Sequence, residues 1–181
     1  MTVLSAYAPT LVSDEATKDL FYYDCLRATL QAVPRNDRLV FLGDFYARVG
    51  TNHNVWAGVI GRHGLGNANS SGIRLLNLCS EFCLVITNTL FQQRNQRKAT
   101  WMHPMSMLDY VITRSRDVGD VLLTRVMRGA ECWTDHRLVT SNFRSRFDPR
   151  SVNRRQPSDG TSEHARTLRS RMTCRGQFLK H

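Results

Sequence analysis

The run Arg38-Leu39-Val40-Phe41-Leu42-Gly43-Asp44-Phe45 constrains the chain most, because it is short, almost wholly apolar and closed around a Gly-Asp pair. An apolar run of this length without alternation reads as a strand covered on both faces. Such a strand needs a layer on each side, and the flanking segments supply candidates. Upstream, Thr2-Val3-Leu4-Ser5-Ala6-Tyr7 reads as a strand that Pro9 ends. Ser13 then offers an N-cap, and Asp14 and Glu15 suit the positive end of a helix dipole. Tyr22, Leu26, Leu30 and Val33 recur at helical spacing, which predicts an amphipathic helix over 14–33 with Pro34-Arg35-Asn36-Asp37 as its exit turn.

Downstream, residues 50–70 are rich in Gly, Asn and His and read as a long surface loop. Ile73, Leu75, Leu76, Cys79 and Phe82 mark a second helix, and Leu84-Val85-Ile86-Thr87-Asn88 reads as another buried strand. Short strands follow over 99–102, 108–113, 121–126 and 138–143. Strand, helix, strand, helix, strand and then a run of strands is an α/β pattern. Apolar content falls from Arg144 onward. Residues 144–181 hold ten Lys or Arg and three acids, a net +7 out of the chain's formal +10. The expected organisation is therefore one domain over 1–147 and a poorly ordered basic tail over 148–181.

A length of 181 residues suits one domain, and a hydrophobic content of 41% is enough for a core. The positive balance points to polyanions, nucleic acid before membrane. No apolar run approaches the ~18 residues of a membrane span. The opening MTVLSAYAPT lacks the features of a secretory signal. Five cysteines, an odd number without a CxxC pair, argue against a disulfide framework or zinc ribbon. Cys79 and Cys83 read as small buried side chains. These features lead us to expect an intracellular protein, nuclear or cytoplasmic, with no membrane partner.

Four clusters each set a polar group at the end of an apolar run: Tyr7-Ala8-Pro9, Gly43-Asp44-Phe45, Leu108-Asp109-Tyr110-Val111 and Thr134-Asp135-His136. Strand ends are where layered α/β folds assemble sites. Carboxylates suit a hard cation such as Mg²⁺, and an Asp-His pair supplies a base. Taken singly, each cluster has a blander reading. An Asp at a strand end is more often a turn residue, and a lone His is more often an ordinary hydrogen-bonded side chain.

The ordered set changes that balance. Ala6-Tyr7-Ala8-Pro9-Thr10, Phe41 to Gly50, Lys98-Ala99-Thr100-Trp101-Met102-His103-Pro104, Leu108-Asp109-Tyr110-Val111 and Cys132-Trp133-Thr134-Asp135-His136 occur in the order of the endonuclease/exonuclease/phosphatase family. They most resemble the apurinic-type endonuclease domain of non-LTR retrotransposons and the craniofacial development protein 2-like sequences derived from such elements. The resemblance covers roughly residues 2–147. It implies two packed β-sheets flanked by helices, Mg²⁺ as cofactor and DNA as substrate, with RNA a second possible polyanion. Residue by residue, it implies that Tyr7 approaches the scissile phosphate and that Asp44 positions or deprotonates the attacking water. Asp109 would orient the catalytic His136, which acts on the phosphate or water. Asp135 would be a carboxylate near the metal, and the Thr100-Trp101 pair would be mainly structural.

Three departures follow from the same comparison of motifs. Only six residues precede Tyr7, so the family's first strands, with an Asn and a metal-binding Glu, have no counterpart here. The expected fold is thus α/β, a partial two-sheet β-sandwich flanked by helices and lacking its first strands, with a large apolar face uncovered. Tyr46 stands where the family has an Asn that donates to the phosphate. Met105-Ser106-Met107 leaves a short segment before Leu108, which is expected to disturb the register of Asp109. The functional expectation is a retrotransposon-derived, Mg²⁺-dependent DNA endonuclease domain with a degenerate site, a pseudoenzyme. The alternative is a non-catalytic remnant that binds nucleic acid weakly through its basic surface and tail.

Overall fold

A computed structural model of the chain describes residues 1–102, 105–127 and 135–144. These residues fall in one unit, Met1–Ser145. The expected basic tail over 148–181 lies outside the described residues, as do Cys132, Trp133 and Thr134.

β1 (Thr2–Tyr7) pairs in parallel with β2 (Leu39–Asp44), Thr2 opposite Leu39 and Tyr7 opposite Asp44. Parallel neighbours need a crossover, and a helical one links them. α1 (Glu15–Asp19), a π-helical stretch Leu20–Leu26 and α2 (Arg27–Ala32) follow one another directly. Lys18, Tyr22, Leu26 and Leu30 are its buried side chains. A strict four-residue spacing drifts round a ~3.6-residue helix, and the wider π turn takes up the drift. The cap is Asp14 rather than Ser13, because its carboxylate reaches both Thr17 N–H at 2.8 Å and the Thr17 hydroxyl at 2.7 Å.

α3 (Ser70–Glu81) and β3 (Leu84–Ile86) follow. β3 is shorter than its apolar pattern predicts, because Thr87–Thr89 turn into a 3₁₀ helix. Then come β4 (Trp101–Met102), β5 (Met105–Ser106), β6 (Asp109–Arg114), β7 (Val121–Val126) and β8 (Val139–Phe143). The main sheet has the order β1-β2-β6-β3, with β6 antiparallel to both its neighbours. β4-β5 and β7-β8 are separate two-stranded sheets.

Side chains alternate across a sheet, so the register assigns its faces. Leu4 and Ala6, Leu39 and Phe41, Tyr110 and Ile112, and Leu84 and Ile86 share the face that packs with Tyr22, Leu26, Leu75, Leu76 and Cys79 into the core. Buried phenols brace the loops at this end of the sheet. Tyr22 donates to the Phe45 carbonyl at 2.7 Å, and Tyr110 lies 2.9 Å from that of Ala47 and 2.7 Å from that of Met107. The opposite face carries Val3, Ser5 and Tyr7, then Val40, Leu42 and Asp44, then Asp109, Val111 and Thr113.

β7-β8 forms a second layer tied in at the β3 and β6 side. Thr87 Oγ1 donates to the Val111 carbonyl at 2.7 Å and lies 2.9 Å from Thr124 Oγ1, which lies 2.7 Å from Ser141 Oγ. Over β1 the face stays open, with Val3 55% and Tyr7 65% exposed. The partial sandwich is thus as expected, but the open part is not a large apolar face, because Ser5 and Tyr7 make it half polar.

The expected surface loop over 50–70 needs correction. It has no helix or strand of its own before Ser70, yet Val59 and Ile60 are buried and Ile86 N–H donates to the Val59 carbonyl at 2.9 Å. The two apolar residues escape a periodicity reading because they are only a pair. Among the described residues no helix is long and apolar enough to cross a membrane.

The β1–β2 pairing depends on Gly43, where a Cβ would run into the Ala6 carbonyl on the neighbouring strand. Backbone cannot move aside as a flexible side chain can. Gly43→Ala is expected to cost about 3 kcal/mol or more in urea unfolding, or to prevent folding. An unchanged unfolding midpoint would mean that β1 is not held against β2 as described.

Candidate active site

Register builds the site. Tyr7 lies opposite Asp44 across β1 and β2, and Asp44 lies opposite Asp109 across β2 and β6. The three side chains form a row over adjacent strands on the open face. Like charges directly opposite each other in an antiparallel pair are destabilising. Here His136 approaches both. Its Nδ1 is 3.1 Å from Asp109 Oδ2, and its Nε2 is 3.8 Å from Asp44 Oδ2. The candidate ligand atoms of Asp44, Asp109 and His136 all lie within 4.8 Å of one another.

His136 comes from the segment before β8 and is held by backbone. It forms an antiparallel bridge with Trp101, with Arg137 N–H donating to the Thr100 carbonyl at 2.7 Å and Met102 N–H to the Asp135 carbonyl at 3.2 Å. The Trp101 indole stacks near the imidazole, their centroids 6.4 Å apart. Thr100 adds a second tie, since its hydroxyl oxygen accepts from Leu108 N–H at 2.9 Å and Asp109 N–H at 3.1 Å. The short segment before Leu108 therefore leaves Asp109 in register with Asp44, contrary to expectation. Asp135 is exposed and is not part of the three-residue cluster.

Tyr46 does not project into empty space. Its backbone is left-handed, with φ of 45°, an uncommon conformation for a bulky residue. That turn aims its N–H at Asp44 Oδ1, 3.0 Å away, and its phenol at Tyr7, the two hydroxyl oxygens 2.8 Å apart. The rings meet edge to face with centroids 5.7 Å apart. Burial and the Tyr7 hydrogen bond push the Tyr46 phenol up, so it stays neutral at physiological pH. The carboxyl of Asp44 is also pushed up, first by burial and then by Asp109, against the opposing pull of the Tyr46 amide and His136.

Asn88 lies outside the candidate set derived from sequence. It is buried, donates through Nδ2 to the Asp109 carbonyl at 3.1 Å and accepts from Val111 N–H at 2.8 Å. It clamps the backbone of β6 beside Asp109. Its one sequence signal is an amide side chain placed just after a wholly apolar strand.

A cleft of about 530 Å³ opens over the row, lined by Tyr7, Asp44, Asp109, His136 and Arg137 together with apolar side chains such as Leu42 and Leu138. It offers two carboxylates, an imidazole and the Tyr7 phenol at one end of the sheet.

No protein-family model matches the chain. It is 36% identical over 177 residues to craniofacial development protein 2 of Bos taurus, covering 93% of this chain and 29% of that protein. It is 37% identical over 169 residues to craniofacial development protein 2 of Tragulus javanicus, covering 90% of this chain and 28% of that protein. The chain is a homologue of craniofacial development protein 2. It spans less than a third of the length of these relatives.

Among solved structures, the 3′ phosphatase NExo from Neisseria, bound to product DNA hairpin, superposes with a TM-score of 0.53 at 17% identity, covering 78% of this chain and 60% of that one. The 3′-5′ exonuclease NExo from Neisseria meningitidis gives a TM-score of 0.53 at 18% identity, with the same coverage of 78% and 60%. The endonuclease domain of TRAS1, a telomere-specific non-LTR retrotransposon, gives 0.48 at 20% identity over 73% of this chain and 53% of that one. The two Neisseria structures show that the chain has the nuclease/phosphatase fold.

The raised Asp44 carboxyl has a consequence for stability. Where the folded state holds a proton more tightly than the unfolded chain, stability falls as pH rises through the window between the two values. At neutral pH the ionised, buried carboxylate is a net cost. Asp44→Asn keeps an oxygen for the Tyr46 amide and removes the charge. The variant is expected to melt a few degrees above the parent at pH 7, with the gain fading toward the ordinary carboxylate range near pH ~4. A variant that melts lower at pH 7 would show that the charge is stabilising.

Proposed function

We propose that the chain is part of a retrotransposon-derived, Mg²⁺-dependent DNA endonuclease domain, a phosphodiester hydrolase whose site is degenerate. The observation that carries this reading is the row Tyr7–Asp44–Asp109 with His136 bridging its two carboxylates. Bound DNA in a Neisseria structure of the same fold supports a nucleic-acid substrate.

Asp109 accepting from His136 Nδ1–H holds the imidazole in one tautomer and leaves Nε2 as the acceptor facing Asp44. A water entering the cleft can donate to that nitrogen and to the Asp44 carboxylate. Acid-base help of this kind contributes ~10²–10⁴ in rate. Tyr7, at the end of the row and largely exposed, is placed to donate to a phosphate oxygen.

The donor set suits a hard cation. Mg²⁺ takes one or two carboxylates and completes its shell with waters and phosphate oxygens. Asp44 offers a carboxylate oxygen within 4.8 Å of an Asp109 carboxylate oxygen and a His136 ring nitrogen, and Asp135 is the further carboxylate that the resemblance assigns to the metal. When bound, Mg²⁺ neutralises charge developing on the phosphate.

The degeneracy has two sources. Asp109 is engaged with His136, and Asp44 Oδ1 with the Tyr46 amide, so few carboxylate oxygens in the described cluster remain for a cation. Tyr46 replaces an amide donor, and its hydroxyl is shared with Tyr7. Losing one donor to a developing oxyanion costs ~10²–10³ in turnover. Residues 1–181 alone are therefore expected to nick plasmid DNA no faster than background with Mg²⁺. Adding the preceding strands of a related endonuclease together with Tyr46→Asn should restore cleavage that EDTA or His136→Ala abolishes. Cleavage by the unmodified chain that EDTA stops would overturn the degeneracy. A grafted chain that binds DNA and metal but never cleaves would overturn the endonuclease reading.

One observation favours a second reading, a non-catalytic remnant that binds nucleic acid weakly. The net +7 on residues 144–181 is a polyanion-binding composition, and we assign 148–181 as a basic extension separate from the 1–147 domain. Binding of this kind is driven by counterion release. Affinity for a mixed-sequence duplex is expected to fall steeply between 50 and 200 mM salt, on the order of tenfold or more, and to drop on deletion of 148–181. Binding that ignores both salt and the deletion would exclude the tail.

A further inference from the structure

The strained turn at Tyr46 has an identifiable support outside the site. Asn69, the N-cap of α3, makes a set of hydrogen bonds that no helix cap requires. Its Oδ1 accepts from Gly72 N–H at 2.7 Å, the ordinary capping bond, and also from Arg48 N–H at 2.9 Å. Its Nδ2 donates to the Tyr46 carbonyl at 3.2 Å, and its backbone N–H donates to the Arg48 carbonyl at 3.1 Å. Gly72 lets the two segments close up, since a Cβ there would run into the Arg48 carbonyl. One amide side chain thus joins the first turn of α3 to the loop that leaves β2.

We propose that Asn69 is a positioning residue for the candidate site, holding Tyr46 in its left-handed conformation through the Tyr46 carbonyl. The consequence runs along covalent and hydrogen-bonded links. A fixed Tyr46 carbonyl fixes the peptide that follows it, and the bonds to Arg48 close the turn. The left-handed turn aims the Tyr46 N–H at Asp44 Oδ1 and its phenol at Tyr7. Without the Nδ2 donor, Tyr46 can relax to an ordinary backbone conformation, because the left-handed one is disfavoured for a bulky residue. Asp44 then loses its amide partner and Tyr7 its phenol partner. The effect on metal binding rests on the endonuclease reading; the coupling of Asn69 to Tyr46 does not.

Capping and positioning separate cleanly by substitution. Asn69→Asp and Asn69→Ser keep an N-cap acceptor and remove the amide donor, and both residues are good caps. The test uses the full ¹⁵N-labelled chain. It follows amide hydrogen exchange at Tyr46 and at Gly72 and Ile73 in α3, and Mn²⁺ affinity by electron paramagnetic resonance. In both variants Tyr46 exchange is expected to rise about tenfold while Gly72 and Ile73 stay protected, and Mn²⁺ binding to weaken ~10-fold. Unchanged Tyr46 exchange would overturn the proposal. So would a rise at Tyr46 matched by Gly72 and Ile73, since that is helix fraying and hence a purely structural cap. If the parent binds no Mn²⁺ while Tyr46 alone responds, the positioning role stands and the metal-dependent reading of the site falls.

Discussion

The antiparallel register of β2 against β6 is the constraint on which the rest of the structure depends. It sets Asp44 directly opposite Asp109, a pairing that sheets avoid. A one-residue slip of either strand would turn its carboxylate toward the core and its own core residues, Phe41 on β2 or Tyr110 on β6, out of it. The alternation of apolar residues on the core face excludes that slip. The same pattern that makes the sheet fold therefore forces two carboxylates together at its end. Each carboxylate has its own partner, the His136 imidazole on Asp109 and the Tyr46 amide on Asp44. The site is a local electrostatic conflict held in place by a well-packed core.

His136 belongs to a different layer from the carboxylates it approaches. Its segment is anchored by backbone bonds to Thr100 and Met102, and Thr100 in turn ties down Leu108 and Asp109. The imidazole and its Asp109 partner are thus positioned by one buried threonine. This explains why the segment from Lys98 to Met102 carries a motif while contributing only Trp101 to the neighbourhood of the imidazole. It also explains why the short segment before Leu108 is tolerated. Thr100 fixes the entry to β6, so the length between matters less than the anchor.

Much of this is legible in the sequence because strands and helices announce themselves by period. The runs over 2–7, 38–45, 108–113 and 121–126 became strands within a residue at each end, and the helical spacing of Tyr22, Leu26 and Leu30 became a helix. The convergence of Asp44, Asp109 and His136 was readable only as an ordered set of motifs, since no local pattern relates residues so far apart. What stayed hidden rests on single side chains meeting distant backbone. Asn88 bonding to the Asp109 carbonyl, Asn69 bonding to that of Tyr46, and the π turn in the first helix leave no periodic trace. Val59 and Ile60 are buried from within a Gly- and Asn-rich stretch, where composition argues for solvent.

Tyr46 shows how a substitution changes a site without emptying it. An amide side chain at this position would leave its donors to whatever enters the cleft. The phenol instead finds Tyr7 inside the protein, so two groups that could bind a phosphate bind each other. Each phenol has one proton to donate, and one of those protons lies between the two oxygens. A ligand must break that bond to recover both donors. It must do so at the boundary where β7-β8 stops covering the sheet and Tyr7 stands exposed. Asp109 on β6 and His136 before β8 already face each other, whereas the phenols of Tyr7, at the end of β1, and Tyr46, just after β2, are hydrogen-bonded to each other. A ligand that takes hydrogen bonds from both phenols has to displace the Tyr7–Tyr46 bond, while the Asp109–His136 contact can stay as it is.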